Sequence, residues 1–383
     1  MSATFRLRTP WGLPRRLSAL FATSLTLGSI LGAPILAPQV ASAATTTYTV
    51  TVVPSPDKQV AQGGGNTGNG VNASGHIVGQ GINPKISTGD AFLFRNGTSA
   101  DLGNLTNSQG SVSGSIAFGI NNNDVVVGNS IGPGVDTPTR PFIWQNGAMK
   151  DLGVLPKDGD VEAEGINNLG QVVGFARPFL GSASDAAWSF LNGTTTLLGT
   201  LGGADSSAFG VNDNGQVVGD AETAATDTIH AFVWQNGAIT DLGALPGGLF
   251  SEAVAINKNA AAVGVSTYKG GDFSTGDRHA VVFQNGTVTD LTPTLPAPLE
   301  SFAAGVNAAG QVVGASGVVN ASEQHAFIWQ NGAGTDLNSL IPAGSGITLT
   351  NAEGINDNGQ IVANGTRTGS PSQSITLLLT PKS

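Results

Sequence analysis

The sequence predicts an all-β fold, a seven-bladed β-propeller of four-stranded antiparallel meanders closed by its N-terminal strand. Three observations predict it. A phrase anchored on the asparagine of a Gly-Ile/Val-Asn triplet returns seven times, at Asn72, Asn121, Asn167, Asn212, Asn257, Asn307 and Asn356, with spacings of 49, 46, 45, 45, 50 and 49 residues. Self-similarity at such a period is the signature of a solenoid or propeller. Each copy reads as short strands joined by tight turns, and the two chain ends carry complementary parts of one copy.

The fourth copy shows the elements in order. Ser207-Ala208-Phe209-Gly210-Val211-Asn212 is a first strand, Asp213-Asn214-Gly215 a turn, and Gln216-Val217-Val218-Gly219 a second strand. Gly215 stands where the turn needs a left-handed residue, as do Gly75, Gly170, Gly310 and Gly359, and Asp124 tolerates that conformation. Ala260 holds the position in the fifth copy, which predicts a distorted or different turn there. A third strand follows at His230-Ala231-Phe232-Val233-Trp234-Gln235, then Asn236-Gly237 and a fourth strand, Ala238-Ile239-Thr240-Asp241-Leu242-Gly243. Asn-Gly between β-rich runs is the strongest short hairpin signal, and it recurs at Asn96, Asn146, Asn192, Asn285 and Asn331. No helical period intervenes, so no crossover builds a parallel sheet.

The seventh copy ends with Ser374-Ile375-Thr376-Leu377-Leu378-Leu379 and lacks a fourth strand, while Tyr48-Thr49-Val50-Thr51-Val52-Val53 precedes the first copy as an unassigned strand. Joining the two closes the ring and removes its free edge. The small-residue first strand is then nearest the axis. Pairs on one face of the third strand (Phe142 and Trp144, Trp188 and Phe190, Phe232 and Trp234, Phe327 and Trp329) are expected to pack between blades.

Composition fits this reading. Charged residues are 11% of the 383-residue chain and glycine contributes 55, a mixture suited to strands and turns. The N-terminus runs from Arg6, Arg8, Arg15 and Arg16 through an apolar stretch, Leu17 to Leu36, to Ala41-Ser42-Ala43, the order of a secretory signal peptide. Gly28, Gly32 and Pro34 interrupt the stretch and argue against a retained anchor, and Pro14 and Leu17 make Arg15-Arg16 a poor twin-arginine match. Residues 1–43 are therefore expected to be a cleaved signal, and residues 44–383 one secreted domain. Without the four arginines, 12 basic groups face 26 acidic ones, a net charge of −14. This argues against nucleic acid and anionic membrane as partners. The absence of cysteine excludes disulfides and thiolate metal sites.

With these residues identified, the chain resembles the HAF family of extracellular repeat proteins, named for the phrase at His230-Ala231-Phe232, with variants at His279-Ala280-Val281 and His325-Ala326-Phe327. Gly354-Ile355-Asn356-Asp357-Asn358-Gly359-Gln360, and Trp234-Gln235-Asn236-Gly237 followed by Asp241-Leu242-Gly243, match in register over nearly all of residues 44–383. The resemblance implies export and a repeat architecture; it implies no catalytic residue and no cofactor.

Side chains that return in every copy read as scaffold, since an active site needs its chemistry once. Asp101, Asp151, Asp241, Asp290 and Asp336 share a slot after the Asn-Gly hairpin, where a carboxylate is expected to accept backbone or indole hydrogen bonds; Leu197 replaces it in the third copy. The Asn-Asp-Asn-Gly turns lack the bidentate glutamate of a calcium loop. His230, His279 and His325 share another slot, with Arg140 and Asp90 there in other copies, and lie on different blades, too far apart for one metal ion. Glu164 and Glu353 replace apolar residues of the axial strand such as Phe118, Phe209 and Val254, and would be the carboxylates of a carbohydrate-active enzyme. The favoured reading is a non-catalytic, monomeric recognition or surface-structure protein for an extracellular glycan or protein ligand. Its site is expected on the face of long, variable loops, where Arg140, His230, His279 and His325 join Tyr268, Asp272, Phe273, Asp277 and Arg278 of the loop at residues 267–278. That face also collects Arg177, Glu222 and Asp227.

Overall fold

The computed structural model describes residues 46–56, 67–83, 88–105, 114–131, 138–154, 159–178, 184–268, 278–297, 300–317 and 324–382. The chain divides after Thr46, and Thr47–Ser383 forms the compact unit described below. It is a seven-bladed β-propeller of seven four-stranded antiparallel sheets. Six sheets are built from four consecutive strands each. The seventh combines Ile347–Ile355, Ile361–Arg367 and Ser370–Pro381 with Tyr48–Val52 as its outermost strand. There Val50 faces Leu379 and Val52 faces Leu377, the closure the chain ends predict. Among the described residues no helix is long and apolar enough to cross a membrane.

Each blade repeats one construction. In blade 4, Gly202–Val211 is innermost, followed by Val217–Thr223, Ile229–Gln235 and Ala238–Gly243. The first strand carries a bulge at Phe209: Ala208 pairs Gly219 and Gly210 pairs Val218. Two glycines of the repeat are sterically required here. A Cβ on Gly219 would lie 1.9 Å from the Ser207 carbonyl oxygen, and one on Gly210 would lie 2.7 Å from the Val254 carbonyl oxygen of the next blade.

The Asn-Gly hairpins adopt the double left-handed turn that twisted antiparallel strands favour: Asn236 has φ +52° and Gly237 φ +87°, and the other five pairs match closely. At the inner turns the expectation for the fifth copy does not hold. Ala260 has φ +60° and makes the same hydrogen bonds as its glycine counterparts, its N–H donating to the Asn257 carbonyl at 3.1 Å. The turn is fixed by the asparagine three residues earlier. In every blade that asparagine's Oδ1 accepts the backbone N–H groups two and four residues on, at 2.9–3.1 Å. Two such bonds, each contributing about 1 kcal/mol, outweigh the ~1 kcal/mol that alanine loses in a left-handed conformation.

The same seven side chains link the blades. Asn72 Nδ2 donates to the Asn121 carbonyl, Asn121 to Asn167, Asn167 to Asn212, Asn212 to Asn257, Asn257 to Asn307, Asn307 to Asn356, and Asn356 back to Asn72, at 2.8–3.2 Å. All seven are buried. A second staple, not anticipated from sequence, lies at the start of the axial strands. Ser115, Ser251 and Ser301 accept the backbone N–H of Ala91, Ala231 and Ala280 on the preceding blade, each at 2.8 Å, and Ser206 does the same for Ala187 at 3.0 Å.

The core consists of seven clusters, one per interface. Phe232 and Trp234 pack on Val173 and Ala187 of blade 3, Phe142 and Trp144 on Val78 and Ala91 of blade 1, and Phe327 and Trp329 on Val263 and Ala280 of blade 5. At the closing interface Phe92 and Phe94 meet Val53, Val362 and Leu378. Blade 7 is therefore completed by a strand that also covers the core it shares with blade 1.

Two outcomes test this account. A chain beginning near Gly63 loses the outer strand of blade 7 and uncovers buried Tyr48 partners and Leu377 and Leu379; it should melt well below the chain beginning at Ala44, reflecting a loss of several kcal/mol. Equal melting temperatures would show that the closing strand is dispensable. Ala260→Gly should stabilise by ~0.5–1 kcal/mol in chemical denaturation, because the turn is left-handed already; destabilisation would contradict the strain assigned to Ala260.

Candidate functional site

The antiparallel meander puts every inner turn and Asn-Gly hairpin on one face, and the connections between second and third strands on the other. The third-strand slot of the His-Ala-Phe phrase opens onto this loop-bearing face. His230 Nδ1 lies 2.9 Å from Asp241 Oδ2, His279 Nδ1 2.8 Å from Asp290 Oδ2, and His325 Nδ1 2.8 Å from Asp336 Oδ2. Arg140 donates to Asp151 Oδ2 at 2.9 Å. A carboxylate only accepts, so each histidine carries its hydrogen on Nδ1 and turns Nε2 away.

The other carboxylate oxygen closes the local bend. It accepts the backbone N–H of Gly103, Gly153, Gly243, Thr292 or Asn338 at 2.7–2.9 Å. The backbone bonds expected of these aspartates are therefore present. Of the two alternatives, backbone or indole, the described residues show the backbone one; Trp329 Nε1 donates to Thr294 Oγ1, at 3.2 Å. The partner missed from sequence is the histidine or arginine, although a signal existed. In blades 1 to 6 the two slots are eleven residues apart, and where one is apolar so is the other: blade 3 has Ala186 with Leu197, and blade 7, completed across the chain ends, has Ile375 with Val52. Blade 1 has Asp90 with Asp101, and burial, joined by the charge of Asp90, raises the Asp101 carboxyl above its ordinary range.

The remaining candidates are divided. Asp272, Phe273 and Asp277 lie outside the described residues. Tyr268, expected to be exposed, is half-buried against the core of blade 5 and stacks on His279, with ring centroids 5.6 Å apart and planes at 21°. Arg278 donates to Glu300 Oε2 of blade 6 at 2.9 Å. Arg177 reaches Asp185 at 3.1 Å and Glu162 at 3.8 Å, with its guanidinium 5.4 Å from the centre of the Phe175 ring. The structure therefore brings Tyr268 and His279 together, directs Arg278 to Glu300 of blade 6, and leaves Arg140, His230 and His325 on separate blades.

Glu164 and Glu353 both occupy the bulge of an axial strand, on blades 3 and 7. Burial pushes the Glu353 carboxyl up to about 8, against the opposing effect of hydrogen bonds from Asn351 and Asn364. Asn364 is itself fixed on blade 1, accepting the Gly68 N–H at 2.9 Å and donating to its carbonyl at 3.0 Å. Glu353 thus sits against the staple that joins blades 7 and 1. Among the described residues no group of three or more His, Asp or Glu is arranged to hold a metal ion.

No protein-family model and no curated protein matches the chain. Among solved structures, a puromycin-hydrolysing peptidase of Mycobacterium tuberculosis is similar at 12% identity and TM-score 0.50, covering 78% of this chain and 50% of that one. The Pyrococcus horikoshii acylaminoacyl peptidase follows at 11% and 0.46, covering 79% and 50%. The chain thus spans about half the length of these peptidases. A variant of Aleuria aurantia lectin in complex with α-methyl-L-fucoside aligns at 9% and 0.34, over 88% of this chain and 95% of that one. At these identities the likeness concerns the fold.

The raised Glu353 carboxyl has a measurable consequence. Below about pH 4.5 both folded and unfolded chains are protonated there; as pH rises toward about 8 the unfolded chain ionises first, so folding stability falls across that window and then levels. Glu353→Gln removes this loss. Its melting temperature relative to wild type should rise progressively between pH 4.5 and 8, and a constant difference would show that Glu353 is not held protonated.

Proposed function

We propose that this chain is an exported, non-catalytic recognition propeller of the HAF type, binding an extracellular glycan through its loop-bearing face. The observation that carries the reading is the stack of the Tyr268 and His279 rings beside the segment at residues 269–277, with His279 held by Asp290 at 2.8 Å. An aromatic surface flanked by fixed polar groups suits a sugar, whose ring presents C–H edges and hydroxyls. Phe273, Asp272 and Asp277 belong to the same loop and extend the proposed site. Export rests on the N-terminal order of arginines, apolar stretch and Ala41-Ser42-Ala43.

The second reading, a carbohydrate-active enzyme, draws on Glu164 and Glu353. It is disfavoured because the two carboxylates stand on blades 3 and 7, and because Glu353 is tied into the contacts between blades 7 and 1. Glycan-array binding combined with turnover assays on a polysaccharide panel separates the readings. The expected result is binding without new reducing ends, weakened several-fold by Phe273→Ala at an unchanged melting temperature. Tyr268→Ala is unsuited to this purpose because the half-buried ring supports the blade 5 core. Product formation abolished by Glu164→Gln or Glu353→Gln would replace recognition with catalysis.

A further inference from the structure

On the opposite face, among the tight turns, a cleft of about 480 Å³ opens between blades 5 and 6. Trp329 of blade 6 lines it, and blade 5 contributes Asn259, Gln284, Asn285, Thr287 and Thr289. None of the lining residues is charged. We propose that this cleft is a second binding site, for a neutral pyranose residue.

The cleft arises from a specific departure from the repeat. Four residues after the ring asparagine, blades 3, 4, 6 and 7 carry Gln171, Gln216, Gln311 and Gln360, whose Oε1 accepts from that asparagine's Nδ2 at 2.7–3.3 Å. These side chains extend toward the next blade: Gln360 Nε2 would lie 2.7 Å from a Cβ on Gly75, and Gln171 Oε1 3.6 Å from one on Gly215. Blade 5 has Ala261 at this position, with its backbone bonds to Asn257 intact. The volume a glutamine fills elsewhere is therefore open, and Ala261 and Gly310 both line it.

What the missing glutamine uncovers is a tryptophan. Trp144, Trp234 and Trp329 occupy equivalent places in the third strands of blades 2, 4 and 6. The slot facing them from the preceding blade is His76, Gln171 and Ala261 respectively. His76 is held by Asp124 at 2.7 Å, and Gln171 donates to Ser189 Oγ at 2.8 Å, so those two slots are occupied by bonded side chains. Trp329 alone of the three faces an alanine. Its ring is fixed by the bond to Thr294 and by packing on Val263 and Ala280, so no reorganisation is needed before a ligand stacks on it.

The polar lining is ready to bond. Asn259 Nδ2 is committed to the Ala308 carbonyl at 3.0 Å. Gln284, Asn285, Thr287 and Thr289 make no side-chain hydrogen bond within the described residues. Amides and hydroxyls offer donors and acceptors together, as the hydroxyls of a sugar require, and the volume lies in the range of small-molecule pockets. The uncharged lining and the acidic balance of the chain select against uronic acids and sulfated sugars.

The site rests on the reading of this protein as glycan-binding, but not on the loop-bearing face. The test titrates the chain beginning at Ala44 with methyl glycosides of glucose, mannose, galactose and N-acetylglucosamine, and with methyl glucuronide, followed by tryptophan fluorescence and saturation-transfer NMR at millimolar concentration. At least one neutral glycoside should bind and methyl glucuronide should not. Ala261→Gln rebuilds the glutamine of blades 3, 4, 6 and 7, with Gln284 placed as Gln235 and Gln330 are, and should keep the melting temperature while weakening binding at least about tenfold. Phe273→Ala should leave this binding unchanged. Equal binding by Ala261→Gln, preference for the glucuronide, or no neutral glycoside bound at all would overturn the cleft site. Loss of glycan-array binding on Phe273→Ala would still support the loop-bearing face, so the two sites fail separately.

Discussion

The structure depends on how seven asparagine side chains are shared. Each carboxamide has one acceptor and one donor group, and the fold uses both: Oδ1 holds the turn that its own blade needs, while Nδ2 reaches the carbonyl of the next blade. A carboxylate, which only accepts, cannot do both tasks. Because all seven are buried, any one replaced by a group without the amide leaves orphaned backbone groups in two blades at once. Turn formation and blade assembly are consequently a single event, and strand pairing, bulges and interblade clusters are arranged around that constraint.

This explains which features were legible in the sequence. The asparagines, the Asn-Gly hairpins and the strand missing from the seventh copy were readable because each solves a local backbone problem with a characteristic residue. The turn at Ala260 departs from the sequence expectation because Asn257, not the glycine position, fixes it, and the alanine merely tolerates it. The pairing of His230 with Asp241 is not legible from either slot alone; the joint losses at Ala186 with Leu197 and at Ile375 with Val52 carry the signal. The buried serines were missed for another reason. A serine at a strand start has no distinctive pattern until the neighbouring blade supplies the Ala231 or Ala280 N–H it must satisfy.

The same logic separates scaffold from candidate sites. His230, His279 and His325 hold the outer strand of their own blade, and are engaged even where they border the proposed loop-face site. Function is better sought where a copy departs from its siblings without a compensating change. Leu197 is compensated by Ala186, although it leaves a leucine 60% exposed. Ala261 is not: nothing takes the place of the absent glutamine, and Trp329 borders the gap. Glu353 is a departure of a third kind, a carboxyl group in an apolar slot whose protonation is coupled to the contacts between the last and first blades.

The outermost strand of blade 7 gives the molecule an order in time. Thr49 Oγ1 bonds the Thr380 carbonyl across 331 residues of chain, so the first strand to be made waits for the last before it can pair. Until then Val50, Val52 and Val53 lack their native cover, and the other six blades can associate only as an open arc. Contacts of such sequence separation are formed slowly. For a chain made from its N-terminus, this ordering holds the ring open until the last strand of the propeller has been made, so that closure depends on all seven blades being present.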